Sequence, residues 1–176
     1  MEDNQKIFKL ISILLQYPQY DWKNNKELME EISNLKNPKI KERFLAFLSY
    51  VNSEEMDELW KTYVNVFDFN EKTTLYLTYI IFGDNRERGP AFVKLKQEFE
   101  DAGFILEKDE LPDYLPLVLE FASIAPRENA SKLFKIHRKA IDLLHLELKK
   151  CNSPYLDLLE ICISTIDNYI KESKAS

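Results

Sequence analysis

The chain has 176 residues, 45% hydrophobic and 31% charged, a balance ordinary for a globular chain rather than a disordered one that fits one domain, residues 1–176, burying roughly 70% of its unfolded surface. A formal net charge of −6 argues against nucleic acid as a partner, because phosphate binding needs a clustered positive surface; it favours cationic partners instead. Gly83, Gly89 and Gly103 are the only glycines, so no GxGxxG or Walker-type phosphate loop can be built.

The opening MEDNQKIFKL carries no basic leader region, and no uninterrupted apolar span of about 18 residues follows. A soluble cytoplasmic protein with no direct membrane insertion is therefore expected. Ile7, Leu10, Ile11, Leu14 and Leu15 repeat at helical spacing and predict a first amphipathic helix. Phe44, Phe47, Leu48 and Val51 predict another. Met56, Leu59, Trp60, Tyr63, Val64 and Phe67 continue the pattern over three turns after Ser53, a candidate N-cap. TLYLTYIIF (residues 74–82) is rich in β-branched and aromatic residues and reads as a strand on propensity alone. No second strand stands out to pair with it, so helix is the better reading, ended by Gly83.

In FGDNRERGPAF (residues 82–92), Pro90 suits the first turn of a helix, with Gly89 just before it. Arg86, Glu87 and Arg88 crowd that approach, and as a solvated turn their ion pairs would each be worth under about 1 kcal/mol. Phe92, Leu95, Phe99 and Ala102 form a seam that stops at Gly103, a suitable left-handed cap. DELPDYLPLVLEF (residues 109–121) follows. With Asp113 at the N-cap, Tyr114, Leu115 and Pro116 become the first helical residues, where the amide that Pro116 lacks has no acceptor anyway. Pro112 keeps the preceding chain extended. Glu120, between Leu119 and Phe121, is the residue this reading leaves unexplained: it faces solvent at a groove edge or awaits a cation.

Leu133, His137, Ala140, Ile141, Leu144 and Leu148 predict a long helix, and Tyr155 to Ile170 a last one, capped by Ser153 with Pro154 at its first position. Asp142 and His145 have the spacing of half a di-iron motif, but the second Glu-x-x-His pair is missing, so no metal is expected. Two histidines without a cysteine nucleophile or serine elbow argue against nucleophilic catalysis. Cys151 and Cys162 give no disulfide framework, and Cys162 falls on an apolar stripe as a buried thiol. The fold class expected is all-α, a single-domain bundle of about seven to nine helices.

FGDNRERGPAFVKL (82–95), EFEDAGF (98–104), ELPDYLPLVLEF (110–121) and LLQYP (14–18) together resemble the nitrate reductase molybdenum cofactor assembly chaperones, the NarJ or delta-subunit group of the TorD-like superfamily. Phe92 stands where a methionine is common in that group, and Tyr114 where the superfamily often has histidine. The resemblance implies a non-catalytic, TorD-like helical chaperone that binds the N-terminal segment of the cofactor-free catalytic (alpha) subunit of a membrane-bound nitrate reductase. It implies support of molybdenum cofactor insertion before membrane docking. The cofactor belongs to the client, so none is expected on this chain.

On that resemblance Asp113 of the Leu-Pro-Asp motif would belong to the client site, with Glu110 and Glu120 completing an acidic rim; helix spacing puts Tyr114, Leu117 and Phe121 on the groove wall. Arg86, Arg88 and Gly89 would form the supporting loop. Charge reversal at Asp113 would then weaken client binding at little cost in stability. Alternatives are a TorD-like chaperone for another molybdoenzyme of the dimethyl sulfoxide reductase type, or a generic helical interaction domain. Weak self-association stays open, because an exchanged helix looks the same in sequence as one packed at home, and so does a second client surface.

Overall fold

The computed structural model describes residues 2–107 and 109–173; Lys108, within the connection expected at 103–112, lies outside them. Among the described residues the chain forms nine α-helices: α1 (Asp3–Leu14), α2 (Lys26–Ser33), α3 (Pro38–Ser53), α4 (Met56–Tyr63), α5 (Leu77–Phe82), α6 (Arg88–Asp101), α7 (Leu115–Ile124), α8 (Arg127–Lys150) and α9 (Leu156–Ser173). A 3-10 turn at Tyr20–Trp22 follows α1, and α4 widens at its end into a π-helical turn, Val64–Asp68. The all-α class expected from periodicity is what the chain adopts.

The stripes read from sequence bury. Ile7, Ile11, Leu14, Phe44, Leu133, Ile141 and Leu158 are almost wholly inaccessible. Helix α1 runs through the middle, packing chiefly against α7 and then α9, and Phe8 meets Phe134 at 4.8 Å and Tyr169 at 5.3 Å. Each fully buried side chain of this size contributes about 1.5–3 kcal/mol. The two ends of the chain are tied by Arg127, which pairs with Glu2 and, at 2.8 Å, with Glu172, while its guanidinium lies 4.5 Å from the Tyr169 ring.

Local signals are met at some ends and missed at others. Gly103, at φ 83°, stops α6: its amide donates to the Glu100 carbonyl and that of Phe104 to the Phe99 carbonyl, the paired bonds of a Schellman cap. Ser53 is not the cap of α4. It is the last residue of α3, its hydroxyl donating to the Tyr50 carbonyl, and Glu55 precedes α4. Residues 74–82 are only partly helical. Tyr76 instead makes an antiparallel bridge with Tyr114: the pairing segment that sequence failed to supply is the proline-stiffened stretch before α7.

Candidate functional site

That bridge organises the centre of the molecule. Pro112 keeps the chain extended, and it runs antiparallel to residues 75–77, the Leu77 amide donating to the Asp113 carbonyl at 3.0 Å and the Leu115 amide to the Leu75 carbonyl at 2.9 Å. The register delivers the Asp113 carboxylate to the start of α5, where the first amides have no helical acceptor. Oδ2 accepts from the Thr78 amide at 3.0 Å and from its hydroxyl at 2.5 Å. Arg88, in the first turn of α6, donates through Nε to the Thr78 hydroxyl oxygen at 2.9 Å and brings Nη2 to 3.5 Å from Oδ2. Its guanidinium rests against the Phe92 and Tyr79 rings, at 4.9 and 5.3 Å, which steadies the cation beside Asp113. One carboxylate thus joins the starts of α5, α6 and α7.

Two expectations for Asp113 are overturned here. It does not cap its own helix: Tyr114 is the N-cap of α7, without a side-chain cap bond, and Pro116 lies in the first turn. Nor does it stand on an acidic rim, because it is 0% exposed. The reason is the bridge, which aims the side chain across at Thr78 instead of back over the α7 amides.

The remaining predicted residues divide. Glu110 is exposed, its carboxylate accepting from the Glu107 amide at 3.2 Å. Tyr114 is half-buried, with its ring 5.2 Å from that of Tyr76 and its hydroxyl 3.5 Å from that of Tyr63; burial pushes both the Tyr63 and Tyr114 phenols above their usual range. Glu110, Tyr114 and Leu117 come together with Tyr76, Asp109 and Leu111 around a shallow notch of about 270 Å³. Glu120 lies further along α7 and outside the notch. Its cation is Lys9 of α1, at 2.5 Å, both side chains being close to half-exposed, so the pair contributes about 1 kcal/mol or less. Phe121 is not a groove wall: it is buried, 4.5 Å from Phe99 and 5.1 Å from Phe104. Of the loop residues, Arg88 reaches Asp113, whereas Arg86 and Gly89 are exposed.

A larger cavity escaped the sequence reading. Between α5, α6 and α8 runs an open groove of about 600 Å³ with Ile81, Phe82, Pro90, Ala91, Leu95 and Ile136 on its apolar walls and Thr78, His137 and Ala140 below. Ile81 and Ile136 are 38% and 52% exposed; each is an apolar residue off the buried stripe of its helix, the one local signal that could have pointed here. Lys94 and Lys139 stand among its lining. Notch and groove are neighbours, since Tyr76 lines one and Thr78 the other.

His137 is buried and its Nε2 has no hydrogen-bond partner. Burial lowers its pKa to about 4, so the ring is neutral at physiological pH. An unfolded imidazole titrates near 6.5. The unfolded state therefore binds more protons between the two values, and stability rises with pH across that window, being complete above it. From about pH 7 to pH 5 the loss assigned to His137 is about 2 kcal/mol. Denaturant unfolding at both pH values should show it, and His137→Leu should remove that part of the slope.

Asp142 and His145, spaced like half a di-iron motif, do not converge. Asp142 is held by Arg138 at 2.9 Å, and His145 faces Glu160 at 3.5 Å. Among the described residues no three metal-binding side chains cluster, and no helix is long and apolar enough to cross a membrane. Cys162 is a buried free thiol whose pKa burial pushes to about 12.

Comparison with known proteins gives the last observation. Residues 34–160 match the family model described as nitrate reductase delta subunit. The chain is 38% identical, over 97% of its length and 94% of the relative's, to the probable nitrate reductase molybdenum cofactor assembly chaperone NarJ of Bacillus subtilis (strain 168). It is 31% identical to the nitrate reductase molybdenum cofactor assembly chaperone NarJ of Escherichia coli (strain K12), over 95% of this chain and 72% of that one. With the nitrate reductase-like protein NarX of Mycobacterium tuberculosis (strain ATCC 25618 / H37Rv) it shares 37% identity over 53% of its own length and 14% of the relative's.

Proposed function

The chain belongs to the nitrate reductase delta subunit family, and from that premise we propose that it is a dedicated assembly chaperone. It binds the cofactor-free catalytic (alpha) subunit of a nitrate reductase in the cytoplasm through that subunit's N-terminal segment. It keeps the subunit competent for molybdenum cofactor insertion and releases it to the membrane afterwards. The observation that carries this reading is likeness over 97% and 95% of this chain to two proteins named as assembly chaperones and not as enzymes.

The geometry supports a division of labour. An amphipathic client helix lays its apolar face in the groove between α5, α6 and α8, a common mode of peptide recognition. A cationic side chain of the same segment reaches the notch, where Asp109 and Glu110 lie beside the Tyr76 and Tyr114 rings. The groove lining balances Lys94 and Lys139 against Glu87 and Glu98, whereas the notch is acidic, so the cation is drawn to the notch and the segment is oriented as well as held. Asp113, Phe121 and Arg88 serve by fixing the elements that carry Tyr114 and Leu117, and Glu120 stays with Lys9. Three apolar anchors at about 2 kcal/mol each, plus a rim charge pair, less the several kcal/mol needed to order the peptide, lead to affinity near micromolar.

Calorimetric titration with a synthetic peptide of the catalytic subunit's N-terminus, against a scramble of equal charge, tests this. One-to-one binding absent for the scramble is expected. Glu110→Lys should weaken it about tenfold while moving the melting temperature by no more than about 2 °C. If neither the peptide nor the intact cofactor-free subunit binds, the proposed role fails.

A further inference from the structure

The groove's polar groups are not equivalent. Glu87, Lys94, Gln97 and Lys139 are exposed and hydrated, and Glu98 is paired with Lys132 at 2.7 Å. The Thr78 hydroxyl is already engaged, donating to Asp113 and accepting from Arg88. His137 differs from all of them: it lines the groove, is 3% exposed, and keeps a buried ring nitrogen that no protein group satisfies. Buried polar atoms of this kind are uncommon and unfavourable in a finished structure. A ligand that supplies the missing hydrogen bond removes that penalty on binding.

We infer that His137 is a specificity-determining residue of the groove, hydrogen-bonding to one serine or threonine hydroxyl carried among the apolar positions of the helix that docks there. The inference rests on the client reading above. It names the polar feature that the groove selects.

The hydroxyl follows from the chemistry of the two partners. A neutral imidazole offers one donor nitrogen and one acceptor nitrogen, and a hydroxyl rotates to meet either. Within a helix, serine and threonine also satisfy themselves through the carbonyl four residues earlier, so such a side chain enters an apolar groove with nothing left unpaired. An asparagine or glutamine amide brings two donors and an acceptor with two lone pairs to a place that offers one partner. A carboxylate would need an imidazolium, which burial at this position opposes. Ala140, one turn along α8, and Thr78 also line the groove, and both are small side chains.

The test is a double-mutant cycle. Each serine and threonine of the client's N-terminal peptide is replaced in turn, Ser→Ala and Thr→Val, and titrated against wild type and His137→Leu. One replacement should weaken binding to wild type by about tenfold and leave binding to His137→Leu unchanged. A readout that needs no variant is the nitrogen chemical shift of the His137 ring. It should move when the parent peptide is added and stay in place when the peptide without the critical hydroxyl is bound. Parent peptide that binds wild type with no such coupling, and no ring shift, overturns this inference and leaves the client reading standing. So does a binding peptide with no serine or threonine. Failure of the parent peptide to bind wild type overturns this inference, and failure of the intact cofactor-free subunit as well overturns the client reading.

Discussion

Asp113→Ala should lower the melting temperature by about 10 °C. The carboxylate is 0% exposed, and its removal leaves the Thr78 amide and hydroxyl without their acceptor and Arg88 without its counter-ion. Breaking a buried pair from one side costs about 3–5 kcal/mol. Arg88 keeps part of its contact with water, which places this case at the lower end. For a chain of this size each kcal/mol moves the midpoint by about 2–4 °C. Asp113→Asn should lose much less, because an amide oxygen still accepts from Thr78, and the difference between the two variants isolates the charge. Thermal unfolding followed by circular dichroism measures both. A midpoint within about 2 °C of wild type for the alanine variant would mean that the joint between α5, α6 and α7 holds nothing together, and would restore the rim role expected from sequence. Peptide affinity, measured well below the midpoint, should fall only through the shift of Tyr114 and Leu117.

The failed expectation for Asp113 shows where sequence reasoning ends. Its grammar is local: an acid before an apolar run is read as the cap of that run. The partner chosen by the fold, Thr78, is 35 positions away, and nothing at residues 110–116 names it. The same long-range bridge explains the mixed character of residues 74–82, whose β-branched residues were a genuine strand signal with a partner that did not look like a strand. By contrast, stripes such as Leu133, Ala140, Ile141 and Leu144 were legible because each helix carries its own period. Gly103 was legible because only a residue free to adopt φ 83° ends α6 in that way. The groove was not, since its walls come from three helices that each contribute apolar residues lying off their main stripe.

Phe121→Ala should be at least as destabilising, by about 3–5 kcal/mol, or about 10–15 °C in melting temperature. Helix α7 is apolar almost all round, so its pattern does not say which face turns inward; adjacent residues point about 100° apart, and only tertiary packing fixes the phase. The structure turns Phe121 in, against Phe99 and Phe104, and leaves Glu120 beside Lys9. Phe104 is delivered there by the Gly103 cap, so the cluster links the end of α6 to the middle of α7, and alanine would leave a void that neither neighbour can fill without moving a helix. Phe121→Leu should recover more than half of the loss by restoring volume without the ring contacts. Client-peptide binding per folded molecule should be nearly unchanged in Phe121→Leu. A variant that keeps its melting temperature yet loses the peptide would put the ring in the binding surface, and with it the phase of the whole α7 helix.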